Sequence, residues 1–252
     1  MPARRWLPLL VALTLSACAA QPIAPKKIAL LAPFENQYRE IGYNALYAVR
    51  LARDDAQSEA QLLALDDGGS VELAVARVQA LNRDPAVRAI IALGPQATHA
   101  AAQQASQLPF LVVGDWGHSR AAKNSLYAAT QQSAQAASAD DMFILEQTRA
   151  RPGDLDGKVF RSSGSPPDAD FRQRYLASDL YVPQPNLLAT LVYDVAGLVF
   201  SVLDSQAPIS QTAHMGINGQ MRFQDGYWQG APDHSYTIVE GEVAPSALSI
   251  TP

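Results

Sequence analysis

Between Lys27 and Gly114 the sequence alternates short apolar runs with amphipathic ones, and that alternation leaves few architectures open. Lys27-Ile28-Ala29-Leu30-Leu31-Ala32-Pro33-Phe34 reads as a strand ended by a proline, and Ile41 to Asp55 places Ile41, Ala45, Leu46, Val49 and Ala52 at helical spacing. The unit then repeats. Gln61 to Leu65 is a second strand, Asp66-Asp67-Gly68-Gly69 a turn, and Ser70 caps a helix carrying Val71, Ala74, Val75, Val78 and Leu81. Asn82-Arg83-Asp84-Pro85 stops that helix; Ala89 to Leu93 reads as a third strand, Ala97 to Ser106 as a third helix, and Pro109 to Val113 as a fourth strand. Strands apolar on both faces and joined by helices predict a three-layer αβα fold around a parallel sheet. Such sheets bind ligands at the carboxyl ends of their strands, so the loops after Ala32, Leu65, Leu93 and Val113 are the candidate ligand edge.

Composition narrows the functional classes. An apolar content of 48% against 17% charged residues supports a packed core over a disordered chain. The 24 acidic residues outnumber the 19 basic ones, and no basic stripe exists to displace counterions from a phosphate backbone, so a nucleic-acid partner is not expected. His99, His118, His214 and His234 have no metal-ligand spacing, and no metal or cofactor is expected. The pairs Asp54-Asp55, Asp66-Asp67 and Asp140-Asp141 read as solvated faces. The sequence contains no Gly-x-Ser-x-Gly elbow, phosphate-binding loop or dinucleotide fingerprint, so the chain is not expected to be an enzyme.

The first residues resemble a bacterial lipoprotein signal. Met1 to Arg5 is basic, Trp6 to Leu15 is apolar but too short to span a bilayer, and Leu15-Ser16-Ala17-Cys18 matches a lipobox. The alternative is an ordinary small-residue cleavage site with an incidental cysteine. Cys18 is the single cysteine, so it has neither a disulfide partner nor metal-ligand companions. The resemblance implies removal of residues 1–17, lipidation of Cys18, a tether over 18–26, and a body held at a membrane outside the cytoplasm.

After Val113 the pattern changes. Gly114 to Ser119 is a polar loop, and Asn124 to Thr130 reads as an extended segment leaving the sheet. Val159 to Ser162 is extended again, a helix follows Asp168 to about Leu180, and a long apolar helix beginning at Asn186 or Thr190 reaches Leu203. The tail reads as two strands, Gln220 to Phe223 and Ser235 to Val239, with a turn at Asp225-Gly226.

In that order these segments resemble the type I periplasmic binding proteins of the leucine/isoleucine/valine-binding group. The resemblance rests on Ile28-Ala29-Leu30-Leu31-Ala32-Pro33, on Tyr38 and Gly42 before the first helix, and on Ala89 to Pro95. It continues through Tyr193-Asp194 and the closing segments Gly219 to Phe223 and Tyr236 to Ile238. It implies one Rossmann-like lobe from 27–125 and 159–245. Members of the group close two lobes over a ligand, but only 28 residues (131–158) lie between the outgoing and returning segments. A βαβ unit takes about 30 residues or more, so 126–158 reads as a reduced remnant and the second lobe as largely absent.

The resemblance also implies a site. The loop Gly94-Pro95-Gln96-Ala97-Thr98 would present amides and a hydroxyl at a helix start to a ligand carboxylate. Thr98 reads equally as a plain cap. Tyr38, Asp115 and Trp116 lie at the same edge, with packing an equal role for Trp116. The implied ligand is an amino acid or small carboxylate. The implied function is a membrane-anchored, non-enzymatic solute-binding lipoprotein related to ABC-importer receptors, with an ABC permease as partner. The alternative is a reduced binding-protein fold serving as a scaffold or regulator for an envelope protein.

Overall fold

A computed structural model describes residues 25–114, 116–118, 120–130, 156–205 and 207–246. The signal 1–17, Cys18 and the tether up to residue 24, Asp115, and residues 131–155 of the expected remnant lie outside the described residues.

Five strands carry the fold: β1 (Lys27–Ala32), β2 (Gln61–Asp66), β3 (Val87–Ala92), β4 (Phe110–Val113) and β5 (Leu126–Ala129). They lie parallel in the order β2-β1-β3-β4-β5. From Ile28 onward β1 is buried on both faces, as is β4, which explains their unbroken apolar runs. β2 is only partly buried because it forms the edge of the sheet, a correction to the expectation that every strand is covered on both sides.

The connections follow from chirality. α1 (Arg39–Asp55) carries the chain from β1 to β2 in one direction, whereas α2 (Val71–Asn82) and α3 (Ala100–Ala105) carry it from β2 to β3 and from β3 to β4 in the other. Right-handed crossovers therefore place α1 on one face and the α2–α3 pair on the opposite face. α3 is shorter than the expected Ala97 to Ser106: Ala97 and Thr98 remain in a turn, and His99 caps the helix by accepting the Ala101 amide at Nδ1 (3.2 Å).

Beside α1 packs α5 (Leu187–Ser205), the long apolar helix of the sequence. Of the two expected starting points the structure selects Asn186, whose Oδ1 accepts the Leu188 and Ala189 amides. α4 (Ala169–Leu176) also packs against α1 and is capped by Asp168, whose side chain accepts the Phe171 amide. It ends four residues before the expected Leu180. Tyr175 fixes it against α1 by donating its hydroxyl to the Asn44 carbonyl (3.0 Å), and that burial pushes the phenol pKa well up.

Two expectations fail after Val113. Leu126 to Ala129 does not leave the sheet but pairs with β4 along its length, because all four residues are buried and their backbone groups need partners. The tail forms more than two strands. The large sheet continues through β9 (Tyr227–Trp228), β8 (Gly219–Gln224) and β7 (Ala213–Gly216), with the Asp225-Gly226 turn joining β8 to β9. β6 (Val159–Ser162), β10 (His234–Val239) and β11 (Glu242–Pro245) form a separate antiparallel sheet around Phe160, Leu187, Tyr236 and Ile238. Among the described residues these are the two sheets, and the large one is mostly parallel.

Asp194 joins α5 to the β7–β8 hairpin. It is fully buried and accepts the amides of Ile217 and Asn218 and the side-chain amide of Asn218, each at 2.8 Å. Gly216 passes so close that an added Cβ would lie 2.2 Å from the carboxyl group, so this position admits only glycine.

Candidate functional site

The order β2-β1-β3 reverses the direction of winding at β1, and the carboxyl ends of these strands open a crevice there. A cavity of about 250 Å³ occupies that crevice, lined by Pro33, Glu35, Asn36, Tyr38, Asp66, Asp67, Gly69 and Gln96. Its walls are the loops after β1, β2 and β3.

Each wall is held by its own backbone. After β1, Asn36 adopts φ 60°, a left-handed conformation that an asparagine tolerates, and starts a single 3-10 turn over Asn36–Tyr38. Asp66 closes the turn after β2 onto the β1 loop: its Oδ1 accepts the Phe34 amide (2.7 Å) and its Oδ2 the Gly68 amide (2.8 Å). The loop after β3 bends at Gly94, with φ 87°, and a Cβ there would meet the Pro33 ring at 2.7 Å. Only glycine therefore lets the β1 and β3 loops touch.

The carboxylates set the electrostatics. Asp67 is 1% exposed, contrary to the solvated reading of the Asp66-Asp67 pair. Its Oδ1 accepts the Gly69 amide (2.9 Å), while its Oδ2 is buried without a hydrogen-bond partner. Burial raises its pKa above the ordinary value near 3.8; the Gly69 amide opposes that rise, the Asp66 charge adds to it, and the Ala97 amide opposes it weakly. Folded Asp67 therefore holds its proton more tightly than the unfolded chain does, and its contribution to stability falls as pH rises above the ordinary carboxylate range. Asp67→Asn cannot ionise. Its melting temperature relative to the parent should rise as the pH increases above the ordinary carboxylate range. A difference that moves the other way would mean the native state stabilises the charge.

The residues singled out in the sequence separate into groups. Tyr38 and Gln96 line the cavity. Ala97 and Thr98 are fully buried behind it, and the Thr98 hydroxyl donates to the Gly94 carbonyl (2.8 Å), the geometry of a local cap. The amides of Thr98 and His99 donate to the carbonyls of Gly94 and Gln96, and Ala101 donates to His99, so these groups are occupied within the loop. Trp116 is 2% exposed and donates its indole N–H to the Val113 carbonyl (2.7 Å), packing under the β4 loop. The residues the sequence reading missed are Pro33, Glu35, Asn36, Asp66, Asp67 and Gly69. Their signal was available: two consecutive acids and two glycines directly after a buried-sheet strand lie at a ligand edge before they are a solvated face.

A scan against protein families and a search of curated proteins find no match for the chain. Solved structures do match. An extracellular ligand binding receptor from Desulfohalobium retbaense DSM5692 superposes with a TM-score of 0.67 at 14% identity, over 88% of this chain and 59% of that one. The branched-chain amino acid transporter substrate binding protein of Streptococcus pneumoniae str. Canada MDR_19A, solved with isoleucine, gives 0.65 at 16% identity over 87% and 97%. A solute binding protein of an ABC transporter from R. palustris, solved with benzoate, gives 0.61 at 10% identity over 88% and 95%. The fold is that of the type I periplasmic binding proteins. The chain spans 59% of the length of the Desulfohalobium receptor.

Proposed function

We propose that this chain is a non-enzymatic, solute-binding lipoprotein, anchored through Cys18 outside the cytoplasm and related to the receptors that deliver small solutes to ABC importers. The observation that carries this reading is the cavity at the β1 reversal, built from three loops joined by the glycine-dependent contact of Gly94 on Pro33 and by the Phe34 amide on Asp66, on a receptor-type fold. A crevice at that position is where an open α/β sheet takes a ligand. No helix among the described residues is long and apolar enough to cross a membrane. The lipobox-like Leu15-Ser16-Ala17-Cys18 supports a lipid on Cys18 as the attachment.

Two measurements test the reading. Cys18→Ser should move the protein from the membrane pellet to the soluble extract, and an unchanged distribution would remove the anchor. A ligand of the native state at 100 times its Kd adds about 2.7 kcal/mol to stability, so a panel of amino acids and small carboxylates should contain one that raises the melting temperature.

A second reading draws on a different observation. Leu180 and Tyr181 are 89% and 88% exposed on the turn after α4, beside the exposed Arg50–Asp179 ion pair. An adjacent aliphatic and aromatic pair in water suits a protein partner, as a scaffold in the cell envelope would require. Capture of an envelope protein that Leu180→Ser/Tyr181→Ser abolishes, with no solute raising the melting temperature, would favour it.

A further inference from the structure

We infer that the cavity between the β1, β2 and β3 loops takes the ammonium end of a small organic amine. This inference rests on the receptor reading above. Three carboxylates, Glu35, Asp66 and Asp67, stand among the eight lining residues, and no lysine, arginine or histidine does. The two inner acids differ in what they still lack. Asp66 has an amide on each oxygen and contributes mainly charge. Asp67, a lining residue, hydrogen-bonds an amide at Oδ1, while its Oδ2, 3.8 Å from where a Cβ on Gly94 would lie, is a buried acceptor without a hydrogen-bond partner, the Ala97 amide acting on the carboxyl only weakly.

Leaving a buried carboxylate oxygen unpaired is costly, and a charged N–H donor is the group that recovers most of that cost. An ammonium brings three such donors on one compact charge. The Tyr38 ring and the side-chain amides of Asn36 and Gln96, all on the cavity wall, add an aromatic surface and carbonyl acceptors suited to the same pole.

The competing ligands fit less well. A carboxylate would enter against three like charges, and the Thr98, His99 and Ala101 amides of the β3 loop are already donating within the chain. Among the described residues no group of three or more His, Cys, Asp or Glu side chains converges as metal ligands. A volume of about 250 Å³ also exceeds what one bare ion fills, and it suits the end of a small organic molecule.

The test measures thermal unfolding and calorimetric binding of the full chain in mild detergent, with butylamine, 1,4-diaminobutane, sodium butyrate, calcium chloride and leucine as separate probes. The amines should raise the melting temperature by an amount on the order of 5 °C at saturation, and butyrate and calcium should not. Glu35→Gln, an exposed rim substitution that leaves the fold intact, should weaken amine binding by about tenfold, and Asp67→Asn by more. Leucine binding that survives Asp67→Asn, with no amine bound by the parent, would keep the receptor reading and overturn the amine pocket. A shift with butyrate or calcium and none with amines would also overturn it. No shift with any of the five would overturn the amine pocket, and the wider solute panel decides the receptor reading separately.

Discussion

Asp194→Ala is expected to destabilise the protein by about 3–5 kcal/mol, a loss of roughly 10 °C in melting temperature for a chain of this size. The carboxylate terminates three N–H groups, two of them backbone amides of the turn between β7 and β8, and alanine leaves those amides without a partner. Gly216 has already given up its side chain so that the turn can approach Asp194, and little space exists for water to take the place of the carboxylate. Asp194→Asn keeps the shape, but one of its positions becomes a donor facing a donor, so it should fall between the parent and the alanine variant. Burial raises the Asp194 pKa against these amide bonds, so its net worth is the difference between a desolvation cost and the hydrogen bonds that offset it. Urea unfolding measures the loss directly. A cost below about 1 kcal/mol would mean that the turn amides find other partners, and the account of this junction would be wrong.

Gly42→Val should cost about 3 kcal/mol, at the upper end of the usual overpacking range, and should disturb the candidate site as well. A Cβ on Gly42 would lie 2.2 Å from the Pro33 carbonyl oxygen and 2.9 Å from the Phe34 ring. The first obstacle is backbone, which cannot rotate aside, so α1 has to lift from the loop that follows β1. That loop carries Glu35, Asn36 and Tyr38 into the cavity and is tied to β2 by the Phe34 amide on Asp66. Hydrogen exchange should therefore quicken at residues 34–38 in the variant, with the far end of α1 little changed. Uniform quickening over the whole chain would show general destabilisation rather than loss of this contact.

The fold was legible where one face or one period decides the outcome. β1, β3 and β4 are continuous apolar runs because parallel strands are covered on both sides, and α1 showed its buried stripe of Ile41, Ala45, Val49 and Ala52 at helical spacing. Leu126 to Ala129 misled because a four-residue apolar run looks the same whether it crosses between units or ends a sheet; only its pairing with β4 separates the two. The tail misled for a related reason. β8, β9 and β10 follow one another in sequence as a meander would, yet β10 pairs with β6, more than seventy residues earlier in the chain.

The candidate site was half legible. Tyr38 and Gln96 line the cavity because they occupy the loops that a parallel sheet always presents at its carboxyl edge. Thr98 and Trp116 occupy the same edge, but their polar atoms are consumed by Gly94 and Val113. Which way such a side chain turns depends on carbonyls brought near it by the fold, and periodicity carries no information about that.

By itself the order of residues determined the four strands β1 to β4, the helices that join them and the edge at which a ligand would enter, because burial periodicity and crossover handedness are local or nearly local rules. The tertiary structure alone decided that Asp67 lies buried with an unpaired oxygen while its neighbour Asp66 is fully bonded. Two adjacent carboxylates are chemically identical in sequence, and only the distances to amides from other loops make one a fastener and the other an open acceptor.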